Sequence, residues 1–314
     1  MKNFSDNRYR AVVRVPGTSA NCGPGFDCLG VAATIYNYLD LTLLKSNRIV
    51  VESSGDGADK IPRGKRNLTW QAVKKLLDVT GHADEFRGAI IRTKNTVPVS
   101  RGLGSSSAAI VAGLVAANEI LGSPLNRNDL LTLATDIEGH PDNVAPALFG
   151  GFTVSVMDAG KVQTFSFMPR IKLKLIVSVP EFELSTRLAR KVLPKNVSMR
   201  DAVFNVSRAS MLIAALVEGR EDLLPIAFGD ALHQPYRKKL VPGMTQVFDA
   251  AVDAGALGAA ISGAGSCLIA FTTAKSGLEE KISAAMVDAF QAHGVRSKAL
   301  ILNVDKRGAE ILNA

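Results

Sequence analysis

The chain has 314 residues, 47% of them hydrophobic, more than one compact core usually takes, which points to one large domain or two lobes. Its 37 Lys and Arg against 29 Asp and Glu give a net charge of +8, but the basic residues are dispersed, with "PRGKR" and "YRKK" the only clusters, and aromatics are 6%. That pattern argues against a nucleic-acid partner and for a basic surface that attracts anionic metabolites, while three cysteines without zinc-ligand spacing suggest a reducing compartment and no structural metal.

In chain order, "MKNFSDNRYRAVVRV" lacks the apolar stretch of a signal peptide, so a cytoplasmic location is expected. Strand-like runs follow in "RAVVRVP", "YNYLDLTLL" and "RIVVESS", then a helical pattern in "NLTWQAVKKLLDVTG" and a strand in "GAIIRTKNTVPV". Beyond residue 97 comes a glycine- and serine-rich turn and a long apolar helix, then a second helix in "NRNDLLTLATDIEG". Strands are expected in "GGFTVSVMD", "KVQTFSFMP" and "KLKLIVSVP", and helices dominate from Ser185 to Ala254. Ala254 to Ala274 carries no charge, yet its four glycines suit two short buried strands, "LGAAISG" and "SCLIAFTT", better than a membrane span. The helix "GLEEKISAAMVDAFQAHG" and the strand "SKALILNV" close the pattern, with no repeats and no low-complexity linker. Mixed rather than alternating elements predict α+β layers, with a lobe boundary near residue 170 at Met168-Pro169: residues 1–170 and 171–314.

Three segments carry candidate chemistry. In "VPVSRGLGSSSAA", Gly102 and Gly104 let backbone approach a bulky anion, the helix start offers unpaired N–H groups, and Ser105, Ser106 and Ser107 add hydroxyls. The lysine of the common nucleotide loop is absent, so by itself this is equally a tight turn with a serine cap. In "IEGHPDNVAPALFGG", Glu138, His140, Asp142 and Asn143 lie close together, and Glu138 could complete a magnesium site begun by a loop serine, or simply end its helix in solvent with His140 as a cap. In "VPGTSANCGPGFDCLG", Ser19, Asn21 and Asp27 punctuate a polar loop that reads as a ligand contact or as an Asx turn.

Together with "STRLARKVLP", "HQPYR" and "GAAISGAGSC", these segments resemble, in order and over most of the chain, the GHMP small-molecule kinases, most closely members acting on homoserine. Departures from the family pattern are slight: Cys22 stands where leucine is frequent, and "HQPYR" has glutamine for a common glutamate.

The resemblance implies a two-lobed fold, with an amino-terminal lobe like domain 2 of ribosomal protein S5 and a ferredoxin-like carboxy-terminal lobe. It implies ATP and Mg2+ as cofactors and transfer of the γ-phosphoryl group to the hydroxyl of L-homoserine for threonine synthesis. By resemblance the phosphates lie along Pro98, Val99, Ser100, Arg101, Gly102, Leu103, Gly104, Ser105, Ser106, Ser107 and Ala108, with Ser106 and Glu138 as magnesium ligands. Asn21 and Asp27 would take the substrate ammonium, Arg190 and Arg237 its carboxylate, with Thr186 and His140 lining the site and Asn143 at the hydroxyl. Since an amide is no base, the proton could pass to a phosphate oxygen, with Asp142 as the other candidate. From composition alone Arg190 and Arg237 are surface residues. Neither nucleic acid nor membrane is expected as a partner, and a homodimer is left open.

Overall fold

A computed structural model of the chain describes residues 9–312, so the stretch read for a signal peptide lies in large part outside them. Two sheets organise these residues. The first has seven strands: β1 (Arg10–Ala20), β2 (Leu29–Leu44), β3 (Ile49–Gly55), β4 (Gly88–Asn95), β5 (Phe152–Asp158), β6 (Lys161–Phe167) and β11 (Glu310–Leu312). The long β2 pairs with β1 along its length, with β4 over its second half and with β5 at its start, while β3 and β4 run parallel with α1 (Leu68–Val79) between them. The second sheet is antiparallel, in the order β10 (Ser297–Asn303), β7 (Leu173–Pro180), β9 (Leu268–Thr273), β8 (Gly258–Ile261). The charge-free stretch from Ala254 to Ala274 thus supplies β8 and β9, and among the described residues no helix is long and apolar enough to cross a membrane.

Local sequence explains the helices that matter for the site. Asn67 caps α1 by accepting from the N–H of Trp70, a contact of about 1 kcal/mol. The long apolar helix α2 (Ser105–Ile120) buries most of its residues, and α3 (Arg127–Glu138) opens with a capping box between Asn126 and Asp129 and closes on left-handed Gly139. The stretch expected only as a polar segment is a helix, α4 (Pro141–Phe149). Pro141 sits at its first turn, where no donor is needed, and Pro146 is tolerated in so short a helix. His140 does not cap α3, whose C-cap is Gly139; it is the residue before α4, and its ring makes no capping bond there. In the helical second half lie α5 (Thr186–Lys191), α6 (Met199–Glu218), α7 (Leu224–Ala227), α8 (Gln234–Arg237) and α9 (Met244–Asp253), with α10 (Glu279–Ala292) after β9.

Three apolar clusters result. One fills the space between the first sheet and α1 to α4, and another lies between the second sheet and α9 and α10. The third joins the sheets: Leu29, Val31 and Phe152 of the first pack with Val177, Phe271 and Leu302 of the second, and Phe228 stacks on Phe271 with centroids 4.5 Å apart. The last strand, β11, crosses back to pair with β1 and was not legible in three residues.

Candidate active site

A cavity of about 470 Å³ opens between the sheets, lined by the α2 start, the α3 end, the α4 start, the Asn21–Asp27 loop and the α5 and α8 arginines. The loop before α2 is held from outside. Three consecutive carbonyls are engaged: Arg101 O accepts from Cys267 N at 2.9 Å, Gly102 O from Ser262 Oγ at 2.6 Å and Leu103 O from Thr18 N at 3.0 Å. A planar trans peptide sets its N–H opposite its C=O, so the N–H groups of Gly102, Leu103 and Gly104 point away from these three partners, and Gly102 and Gly104 line the cavity. The α2 N-cap, Gly104, is left-handed and supplies no side-chain cap, so the first N–H groups of this helix add to the same positive end. The glycine is required twice over, by its φ of 67° and because a Cβ there would come within 2.0 Å of Thr18 Oγ1.

Of the loop residues, Val99, Ser100, Gly102, Gly104, Ser105, Ser106 and Ala108 line the cavity. Pro98 and Leu103 are buried, with Leu103 packed in the inter-sheet cluster, and the Arg101 guanidinium donates to Pro180 O instead. Glu138 reaches the loop from α3: its Oε1 accepts from Ser106 Oγ at 3.1 Å and from Ser107 Oγ at 3.0 Å. Burial raises the Glu138 pKa, against the pull of both hydroxyls and of His140. A half-buried carboxylate beside two serine hydroxyls is a set of hard oxygen ligands that a divalent cation would complement, so the residues fit magnesium.

The same cavity carries paired charges. Asp27 and Arg190 bind each other in a two-pronged contact, Nη1 to Oδ2 at 3.0 Å and Nη2 to Oδ1 at 2.7 Å. Arg237 is 2% exposed, so the surface reading of this residue is overturned. It holds Ala189 O through Nε at 3.2 Å and Gly263 O through Nη1 at 3.0 Å, and no carboxylate pairs with it among the described residues. Burial and the charge of Arg190 lower its pKa to about 10. The Phe26 ring lies 5.6 Å from one guanidinium carbon and 5.4 Å from the other, a placement that nothing in the sequence reading singled out. Asn21 is engaged at both ends, accepting from Asp27 N at 3.1 Å and donating to Gly263 O at 3.0 Å, as an Asx-type anchor of the loop. Asn21, Cys22 and Asp27 all have positive φ, which concentrates backbone strain in this loop. Thr186 and His140 line the same cavity. His140 Nδ1 contacts Asp142 Oδ1 at 2.5 Å, and although burial opposes its charge, that carboxylate raises its pKa. Ligand atoms of Asp27, His140 and Asp142 lie within 4.8 Å of one another, so two carboxylates meet in one corner of the cavity.

His233, from the "HQPYR" segment, was missed as an individual residue. It is fully buried, its Nε2 donates to Gly23 O at 2.8 Å, and its Nδ1 accepts from Arg237 Nη1 at 3.3 Å. Burial lowers its pKa, against the opposing charge of Asp230. The unfolded chain therefore takes up the proton first, and stability is lost as pH falls below the unfolded value near ~6.5. The melting temperature should fall between about pH 7.5 and 5.5, and less steeply in His233→Gln; equal slopes would show that His233 titrates alike in both states.

Residues 67–151 match the GHMP kinases N terminal domain and residues 212–292 the GHMP kinases C terminal domain, together more than half of the chain. The chain belongs to the GHMP kinase family. Its relatives place it with the homoserine kinases: it is 43% identical to that of Desulfitobacterium hafniense, over 96% of this chain and 99% of the relative, and 44% identical to that of Carboxydothermus hydrogenoformans, over 95% of each. Among solved structures it is similar to homoserine kinase from Cytophaga hutchinsonii, with a TM-score of 0.88 and 30% identity over 99% of this chain and 100% of that one. A galactokinase from Lactococcus lactis, at 16% identity and a TM-score of 0.72 over 98% and 97% of the two chains, shares the fold.

Proposed function

We propose that the chain transfers the γ-phosphoryl group of ATP to the side-chain hydroxyl of L-homoserine, giving O-phospho-L-homoserine and ADP, a step in threonine synthesis. The observation that carries this reading is one cavity with an anion-binding helix start at one end and, at the other, an acidic corner beside two arginines. An α-amino acid needs both signs of charge within a few ångströms. The triphosphate lies along the loop from Pro98 to Ala108, and the base of the nucleotide extends toward Ile61, Pro62, Leu68 and Val99, the apolar arm of the cavity. Ser106 and Glu138 would hold magnesium, which would supply charge neutralisation of the phosphates.

Substrate enters by exchanging partners. Its ammonium takes up Asp27 and Asp142 as neighbours, and its carboxylate takes the guanidinium fork of Arg190 and the remaining Nη2 of Arg237, with Thr186 and His140 lining the site. The hydroxyl oxygen, held at Asn143, attacks the γ-phosphorus, the bond to the bridging oxygen breaks and ADP leaves, while the hydroxyl proton passes to an oxygen of the transferred group. Phosphoryl transfer asks little covalent help of the protein, so positioning and charge carry the rate. The lobes 1–170 and 171–314 belong to the same reading, with β11 returning to the first. A coupled ADP-release assay with L-homoserine, L-serine, mevalonate and shikimate tests it. Homoserine should give the highest kcat/KM of the four; turnover of another alcohol in its place would overturn the substrate assignment.

A further inference from the structure

We propose that Thr18 is a positioning residue for phosphoryl transfer, fixing the Asn143 side chain so that its Nδ2, a hydrogen-bond donor, faces the substrate hydroxyl. The proposal rests on the reading of the cavity given above. Thr18 belongs to β1 and is completely buried. Its N–H ties the phosphate loop at Leu103 O, 3.0 Å, and its Oγ1 donates to Asn143 Oδ1 at 2.8 Å. Its hydroxyl also lies directly against Gly104 at the α2 start, where an added Cβ would meet Oγ1 at 2.0 Å and Asn143 Oδ1 at 3.1 Å. One buried side chain therefore touches both the phosphate loop and the group at the substrate hydroxyl.

A count of donors and acceptors settles the amide orientation. The Thr18 hydroxyl proton needs an acceptor, and Asn143 Oδ1 is its one side-chain hydrogen-bond partner among the described residues. Turning the amide over would set N–H against O–H and strand the hydroxyl proton inside the protein, which native structures avoid. With Oδ1 committed to Thr18, the NH2 end remains for the cavity that Asn143 lines. A donor at that point binds the hydroxyl oxygen through one lone pair and leaves its proton directed at the phosphate. A carbonyl there would take that proton as its own hydrogen-bond partner and hold it away from the phosphoryl oxygens.

The test is a double-mutant cycle read by homoserine-dependent ADP release. Thr18→Val keeps the shape but cannot donate, and kcat should fall about tenfold while KM for homoserine and for ATP stays within about twofold. Thr18→Ser restores the donor and should stay within about threefold of wild type, which separates the hydroxyl from the fold. In an Asn143→Ala background, Thr18→Val should change the residual kcat by less than about twofold, because its target is gone. Wild-type kcat in Thr18→Val, a loss undiminished in the Asn143→Ala background, or a change confined to KM for ATP would each overturn the proposal. A wild-type enzyme inert toward homoserine but active on another alcohol would defeat the substrate reading instead, and the same cycle run on that alcohol would still judge Thr18.

Discussion

Replacement of Glu138 by Gln should lower kcat a hundredfold or more, about 3 kcal/mol of transition-state stabilisation. Gln preserves volume and keeps an amide oxygen to accept from Ser106 and Ser107, the two hydroxyls that meet Glu138 Oε1. What it removes is a negative charge in a place where burial raises the carboxyl pKa, so the folded protein should be no less stable. An unchanged melting temperature with collapsed turnover and a raised magnesium requirement is the signature of a lost metal ligand. Turnover within about threefold of wild type at low magnesium would rule Glu138 out of that role.

The arginine wall makes the second large prediction. Arg190→Ala and Arg237→Ala should each lower kcat/KM for homoserine about thirtyfold or more, since truncating a buried, charge-assisted contact costs about 2 to 5 kcal/mol. The exposed neighbours Arg187 and Lys238 serve as controls, and their alanine variants should stay near wild type. The two arginines differ in what else they do. Arg190 is part-exposed and pairs with Asp27, so its loss frees a carboxylate that water can solvate. Arg237 also satisfies Ala189 O, Gly263 O and His233 Nδ1 inside the protein, so its alanine variant should lose stability as well. 3-Aminopropan-1-ol, homoserine without its carboxylate, isolates the clamp: the penalty should shrink greatly on it for both variants. A penalty that persists undiminished would mean that the arginines act through folding or ATP binding.

Much of this arrangement was legible because each motif joins a strand or helix boundary to a chemically distinctive cluster. Glycines beside serines marked the turn before α2, and the Glu138–Asn143 run marked residues of the same cavity, where Glu138 meets Ser106 and Ser107. The parts that stayed hidden are relational. Helix α4 was not expected from a stretch with Pro141 and Pro146 in it, although the first is harmless at a first turn. The Asp27 to Arg190 pair spans 163 positions, and no local pattern tells that the intended partners of a zwitterion hold each other meanwhile. Phe26 and His233 acquire meaning only from the guanidinium groups beside them. Thr18, inside β1, was not singled out in the sequence, because its partner Asn143 lies 125 positions away.

The return of β11 to the edge of β1 gives the molecule a mechanical character of its own. The polypeptide crosses from the first sheet to the second between β6 and β7 and recrosses between β10 and β11, so the second sheet is stitched to the first by two seams rather than trailing from one. With the apolar cluster that joins the sheets packed between those two seams, the Arg190 and Arg237 side chains of the second half and the Gly102–Ser106 loop of the first are held in one register across the cavity.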